Sequence, residues 1–306
     1  MTTIKDFKLG ADPEFFVKDG DKFVSAHGLV KGTKHNPLRI NKGAVQVDGM
    51  ALEYNINAAQ SSPEFIVNNR TVLNQLRDMV DPKLSFAFTP VAQFGYDYIQ
   101  AQPEDAKKLG CTPDFNAYTG EENPPPDAEM PFRTASGHIH IGWTQDMDID
   151  DPEHLEACRM MVKQLDGLLG CASVVWDPDP TRRQLYGKAG AFRPKSYGVE
   201  YRVMSNAWLN SEWQMDFVFC AAHYAFSSLL NGKVFFANDP EKVQKAINSS
   251  DVRRCYELAS WQYGLPMQIT NLYRDWAAKN KSQYNRDELG RWKKVEPAVK
   301  AKVAAA

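Results

Sequence analysis

The chain has no CxxC pair. Its five cysteines, Cys111, Cys158, Cys171, Cys220 and Cys255, are odd in number and scattered, which fits neither a disulfide framework nor a zinc-thiolate centre and points to a reducing cytoplasm. Long apolar runs are missing too: the most apolar helical stretch, Phe217 to Phe226, spans ten residues and contains His223, too short to cross a bilayer. The opening MTTIKDFKLGADPEFF lacks a basic segment followed by an apolar one, so secretion is not expected. Charge of one sign is not in excess, because 36 Lys and Arg stand against 38 Asp and Glu; no global field exists to recruit nucleic acid or an anionic membrane. Only residues 279–302, with eight Lys/Arg against three acids, are locally basic, and such a stretch reads as a solvated helix end or tail. The sequence contains no GxxxxGK[ST], no GxGxxG and no GxSxG, which removes P-loop, dinucleotide-fold and nucleophile-elbow chemistry.

What is present is an ordinary globular composition over 306 residues, 43% hydrophobic and 24% charged, which excludes disorder and coiled coil. Period-two alternation marks strands around Leu9 to Val17, Val45 to Ile56, Thr134 to Trp143 and Tyr197 to Met204, each bounded by Gly, Pro or Asn. Helical periodicity falls between them. One helix is expected over Ser62 to Val80 with Ile66, Leu73, Leu76 and Val80 inward, one over Pro152 to Leu169 capped by Asp150 or Asp151, and one from the Ser211 cap to Leu230. Beyond Asp239-Pro240 the chain reads as short helices. The segment EENPPPDAEMP, 121–131, is a loop just ahead of a strand with two histidines, and a place on an active-site rim is one reading of it beside a plain surface connection.

The informative feature is the polar face of those strands, where residues i and i+2 point the same way. Asp12 and Glu14 share a face in GADPEFFV, Glu53 lies on the polar face of DGMALEYNI, His138 and His140 share a face in SGHIHIGW, and Glu200 and Arg202 share one in GVEYRVMS. A solvated antiparallel sheet alternates in the same way, so no single run decides. The set carries the argument: a solvated face draws Lys, Thr, Ser and Glu, whereas these runs offer Asp, Glu, His and Arg, which together are ligands for hard cations and one for phosphate. Converging carboxylates repel without a bound cation. Mostly oxygen donors with one or two imidazoles suit Mg2+ or Mn2+ better than zinc. Arg182, Arg183, Lys188, Arg193, Lys195 and Arg202 then place six cations within 22 residues, a stretch that suits transferring phosphoryl oxygens or, blandly, a basic surface hairpin.

In this order GADPEFF, VDGMALEYNI, RTASGHIHIG and YGVEYRVMSN resemble the phage-type carboxylate-amine ligases that share the catalytic fold of glutamine synthetase and glutamate-cysteine ligase; the likeness covers about residues 8–235. It implies an α+β fold with a curved antiparallel sheet and helices on its outer face, a catalytic domain over 1–245 and a helical extension over 246–306. It implies ATP with two Mg2+ or Mn2+ ions, a carboxylate phosphorylated and then attacked by an amine, and release of ADP and phosphate. Residue by residue, Asp12, Glu14, Glu53, His138 and Glu200 resemble the metal ligands, although the paired acids read Asp-Pro-Glu rather than Glu-x-Glu. His140, with Lys188, Arg182 and Arg133, corresponds to nucleotide binding, and Arg202, with Arg193 and Arg183, to phosphoryl transfer. No counterpart of a separate N-terminal domain or ammonia site is visible, so the expected amine is larger than ammonia: an amino acid, a peptide or a protein side chain. The protein is then a cytoplasmic enzyme, in the host cytoplasm if phage-encoded. A two-metal hydrolase or phosphoesterase gathers similar residues, and a structural or binding protein retaining the fold is the non-enzymatic rival.

Overall fold

Each alternating run becomes a strand by hiding one row of side chains and leaving the other row to polar partners. The computed structural model describes residues 7–107, 114–124, 130–235 and 239–263, with scattered residues from 267 to 294. In chain order the strands are β1 (Lys8–Ala11), β2 (Glu14–Asp19), β3 (Lys22–Val24), β4 (Leu38–Ile40), β5 (Gly43–Asp48), β6 (Ala51–Ile56), β7 (Leu84–Ala87), β8 (Val91–Gln93), β9 (Phe115–Asn116), β10 (Phe132–Thr134), β11 (Ile139–Gly142), β12 (Ala191–Lys195) and β13 (Gly198–Tyr201). The expected antiparallel sheet with helices is present, divided in two: a five-stranded sheet ordered β1-β11-β13-β12-β9 and a six-stranded sheet built on β3-β2-β6-β5-β4, with β7 against β2. Residues 8–19 run through both. β1 pairs with β11 and β2 with β6, and at the crossing Asp12 N–H donates to His138 O at 3.3 Å and Glu14 N–H to Ser136 O at 2.8 Å.

Two expected strands are interrupted. Residues 45–56 form a hairpin, not one strand, because Gly49 at φ 58° turns the chain between Asp48 and Ala51. The run over 134–143 splits into β10, which pairs with β8 away from the main sheets, and β11.

The helices are α1 (Ser62–Met79), α2 (Tyr96–Gln100), α3 (Glu104–Lys107), α4 (Pro152–Leu165), α5 (Cys171–Trp176), α6 (Thr181–Leu185), α7 (Glu212–Leu230), α8 (Pro240–Asn248) and α9 (Val252–Tyr263). Ser61 caps α1 through its side chain, but the buried face is Phe65, Asn68, Asn69, Val72 and Leu76, with Ile66 and Leu73 only half-buried. The stripe is rotated because two asparagines have partners inside: Asn69 accepts from the Tyr54 hydroxyl at 2.8 Å and Asn68 donates to Asn57 O at 2.9 Å. Asp151 caps α4 as expected, yet the helical path continues past Leu169 through a π turn over Asp166–Gly170 into α5. Helices α8 and α9 pack on α5. For that reason the first compact unit runs through Gly264, beyond the 245/246 boundary drawn from the sequence, which falls inside α8. Residues 265–306 form a second unit. Its described part includes strands β14 (Tyr284–Arg286) and β15 (Trp292–Lys294), paired antiparallel where only short helices are expected; Tyr and Trp in these strands favour a pleated surface.

Asp166 joins the π turn to the apolar side of the five-stranded sheet. Fully buried, it accepts hydrogen bonds from the Tyr201 hydroxyl at 2.6 Å, Gly190 N–H at 2.7 Å and the Tyr118 hydroxyl at 3.0 Å. Burial, only partly offset by these donors, pushes its carboxyl up from 3.8 to about 7. The native state therefore holds a proton here that the unfolded chain has released, and this contribution to stability is present below about pH 4 and lost as pH rises through about 7. Asp166→Asn should flatten that slope. Asp166→Ala, which leaves two buried hydroxyls and an amide unpaired, should destabilise by about 2–4 kcal/mol. Urea denaturation of wild type and both variants from pH 4 to 8 checks this; parallel pH profiles for wild type and Asp166→Asn would refute the assignment.

Candidate active site

The sheet registers convert four separate sequence motifs into two adjoining rows. Across the five-stranded sheet Gly10, His140, Glu200 and Arg193 stand in line, and across the six-stranded sheet Glu14, Glu53 and Gln46 do. Asp12 lies between the rows. On the opposite face Leu9, Phe15, Leu52, Tyr54, Ile139, Ile141, Val199 and Tyr201 are fully buried, which fixes the register and holds the polar residues on one side.

Two groups of potential cation ligands result. Asp12, His138 and Glu200 offer ligand atoms within 4.8 Å of one another, and so do Glu14, Asp48 and Glu53. In the first group Glu200, 1% exposed, is ringed by cations: Arg202, Lys195 at 2.8 Å and Arg193 at 3.5 Å. Burial alone raises its pKa, but Arg202, His138, His140 and Lys195 together outweigh burial and hold it well below the usual carboxylate range. Burial, then Arg202, keeps His138 neutral with its pKa well below 6.5, the form in which imidazole binds a metal. For His140 burial acts against charging, yet Asp12, 3.0 Å from its Nε2, raises its pKa above the ordinary value. Its Nδ1 lies 2.5 Å from the Tyr197 hydroxyl.

The counter-charges of the second group are weaker: Lys34 Nζ lies 3.3 Å from Asp48, and Arg202 and Arg182 favour the charged Glu14 without outweighing burial. Burial first and Asp48 second push Glu14 up to about 7. Burial, then Asp12, Glu14 and Asp48, raise Glu53 well above the carboxylate range even though the Gln46 amide donates to it at 2.7 Å. Asp12 Oδ1 is buried and takes no well-directed hydrogen bond despite its closeness to His140. An all-oxygen trio of mutually repelling acids beside an orphaned carboxylate oxygen fits hard divalent cations of the Mg2+ or Mn2+ kind.

Two cavities flank these groups. The larger, about 600 Å3, is lined by Lys8, Asp12, Glu53, Asn55, His140 and Tyr197 among others. The smaller, about 60 Å3, is lined by Glu14, Asp48, Arg133 and Arg202 among others.

The predicted residues are placed unequally. Asp12, Glu14, Glu53, His138, His140, Arg193, Glu200 and Arg202 come together on one side. Arg182 is a buried strut: it donates to Val203 O at 2.8 Å, Ser136 Oγ at 3.1 Å and Arg202 O at 3.3 Å, and burial lowers its pKa to about 10. Arg183 is not on the site. Its guanidinium is committed to Asp177 O at 2.9 Å, Ser250 Oγ at 3.0 Å and Asp179 O at 3.1 Å. Lys188 is exposed ahead of β12 and lines neither cavity. The basic stretch divides because Arg182 and Arg183 belong to α6, whereas Arg193 and Lys195 alternate on β12. Arg133 lines the smaller cavity, not the larger one beside His140.

Three contributors escape the strand reading. Asp48 sits at the end of β5, where Asp-Gly reads only as a turn. Asp114 accepts from Arg202 Nε at 2.9 Å and its other oxygen from the Asn123 amide at 2.7 Å, out of a region with no periodic pattern. Lys195 reads only as one of six cations, yet it reaches Glu200.

Residues 129–278 match the family model described as phage phiEco32-like COOH.NH2 ligase-type 2, so the likeness read from the motifs is borne out over that segment. No curated protein matches the chain. Among solved structures, apo GmaS without ligand aligns at 12% identity over 94% of this chain and 71% of its own, with a TM-score of 0.44. A novel glutamine synthase homolog aligns at 12% identity over 89% and 71%, with a TM-score of 0.36. Likenesses this distant carry no argument.

Two classes of divalent-cation site are expected. Metal-stripped protein titrated with Mn2+ and followed by EPR should bind about two ions; Asp48→Asn should weaken one class and His138→Ala the other. Unchanged titrations in both variants would remove the two-group description.

Proposed function

The chain matches the carboxylate-amine ligases of phage phiEco32 type across 129–278, the segment that holds both histidines and the Glu-x-Arg strand; on that premise we propose that it joins a carboxylate to an amine with cleavage of ATP to ADP and phosphate. The observation that carries this reading is the pair of three-ligand groups in adjoining rows of the two sheets with Arg202 and Arg193 beside them, flanked by a large and a small cavity. The larger cavity is of nucleotide size. Lys8 and His140 on its wall would take the polyphosphate, and Asp12, His138, Glu200 and Glu14, Asp48, Glu53 would each hold a divalent cation. Such ions supply neutralisation of the phosphate charge.

The chain's own groups do the rest. Arg202 is held by Glu200 on one side and Asp114 on the other, so its fork is oriented before substrate arrives. A substrate carboxylate oxygen in the smaller cavity attacks the γ-phosphorus as the bond to the β–γ bridging oxygen breaks, and ADP leaves. Arg202 and Arg193 stabilise the charge spread over the transferring oxygens. The amine then attacks the activated carbonyl, losing its proton as phosphate departs.

Arg202→Lys keeps the charge and loses the planar fork, so turnover should fall on the order of 10²-fold while Mg-ATP affinity changes little. Glu200→Gln removes a ligand charge, so metal affinity should fall and added Mn2+ should restore part of the activity. Chromatography of nucleotide products after incubation with a cell extract and Mg-ATP, beside calorimetry for Mg-ATP, reads all of this. AMP as the main product, or phosphoester hydrolysis without ATP, would overturn the proposal.

A further inference from the structure

On the apolar side of the five-stranded sheet Asp166 gathers three hydrogen bonds, and each comes from a segment that holds Arg202. Tyr201, whose hydroxyl lies 2.6 Å from Oδ1, is the residue before Arg202. Gly190, whose N–H lies 2.7 Å from Oδ2, is followed by Ala191, and the Ala191 carbonyl accepts from Arg202 N–H at 3.0 Å. Tyr118, whose hydroxyl lies 3.0 Å from the same oxygen, ends the stretch that opens with Asp114, the acid that accepts from Arg202 Nε at 2.9 Å. That stretch is itself joined to the second segment: Asn116 pairs with Ala191 across β9 and β12, and Ala117 N–H donates to Gly190 O at 2.8 Å. A single buried carboxylate thus reaches Arg202 through the chain before it, the strand beside it and the acid on its fork.

The surroundings are cut to let these donors in. A methyl group on Gly170 would stand 2.6 Å from the Tyr201 hydroxyl, and one on Gly190, at φ 82°, would stand 2.7 Å from the Tyr118 ring. Filling space does not need this, because an apolar side chain of the same size is less costly to bury than an acid. What an acid adds is direction: its two oxygens fix where three donors stand. We infer that Asp166 is a positioning residue for Arg202, acting through Tyr201, Gly190 and Tyr118 to hold the guanidinium and Asp114 in one arrangement without touching substrate. The tie rests on these contacts alone; that it serves phosphoryl transfer rests on the ligase reading.

The test follows the Arg202 Nε–H proton in nitrogen-15-labelled protein in Mg2+ buffer, with its NMR signal assigned by Arg202→Lys. Exchange of that proton with water should be roughly tenfold or more faster in the double variant Tyr118→Phe/Tyr201→Phe and in Asp166→Leu. The double variant carries the test where Asp166→Leu fails to fold. Asp166→Asn should stay near wild type, because its amide oxygen can still accept from Gly190 and Tyr118 while its NH2 donates to a turned Tyr201 hydroxyl. Ser173→Ala, which loses a buried bond to Gly170 O at 2.7 Å beside the same turn and none to Asp166, should leave the exchange unchanged. ADP formation with a cell extract should fall on the order of tenfold or more in the double variant, with Mg-ADP affinity unchanged. Wild-type exchange in the double variant would overturn the inference, as would equal acceleration in Ser173→Ala, or loss of Mg-ADP affinity in step with ADP formation. Failure of wild type to form ADP, with the exchange pattern as expected, would instead remove the ligase reading and leave the tie standing.

Discussion

A carboxylate taken out of water on this sheet face must find positive charge, and the two halves of the site meet that demand in opposite ways. Glu200 lies under Arg202, Lys195, Arg193 and the ring of His138, so it stays ionised although it is almost fully buried. Glu14, Asp48 and Glu53 crowd one another with fewer cations at hand, Lys34 beside Asp48 and Arg202 and Arg182 acting on Glu14, so burial and mutual repulsion prevail and Glu14 and Glu53 keep their protons to higher pH. The first group is charge-balanced by the chain itself. In the second a proton and a divalent cation are alternative solutions to one repulsion, so cation uptake there is coupled to proton release.

That polar face exists only because the other face is committed elsewhere. The apolar rows of β1, β2, β6, β11 and β13 are buried, and α4 lies against β12 and β13, where the Cys158 thiol donates to Gly198 O at 3.3 Å and His154 Nε2 lies 2.8 Å from Lys195 O. A slip of one residue in any of these strands would exchange its rows, so catalytic geometry and core packing share a single register. Asp166 adds a directional tie to that packing: Tyr201, which it binds, neighbours Glu200 on the same strand and points the other way.

How much of this was legible in the sequence follows from what produces each feature. Period-two alternation is a backbone property, so Asp12 with Glu14, His138 with His140, and Glu200 with Arg202 could each be assigned one side of their own run, and Glu53 the polar side of its run, while the joining of the four runs into one site depends on strand pairing. Asp48 could not, because a strand ending in Asp-Gly carries the signal of a turn and says nothing of what the turn brings near. Asp114 is held by a tertiary contact to Arg202 from an irregular segment, where no periodicity exists to read. The basic stretch misled for a related reason: six cations close in sequence gave no sign that a helix and a strand would send Arg182 and Arg183 into the interior and Arg193 onto the face. The rotated face of α1 has its cause in Asn68 and Asn69, which a hydrophobicity pattern scores as outward.

Pro13 occupies the single position between Asp12 and Glu14, where the chain leaves one sheet for the other. It has no N–H to give, and none is missed, because the amides on either side already bond across to His138 O and Ser136 O while its own carbonyl accepts from Tyr54 N–H at 3.3 Å. Its ring fixes the backbone torsion at that point. With φ fixed there and the flanking amides tied to His138 O and Ser136 O, the crossing between Asp12 and Glu14 has little freedom to rotate, so bending of one sheet against the other is resisted at the point where the two acid groups meet.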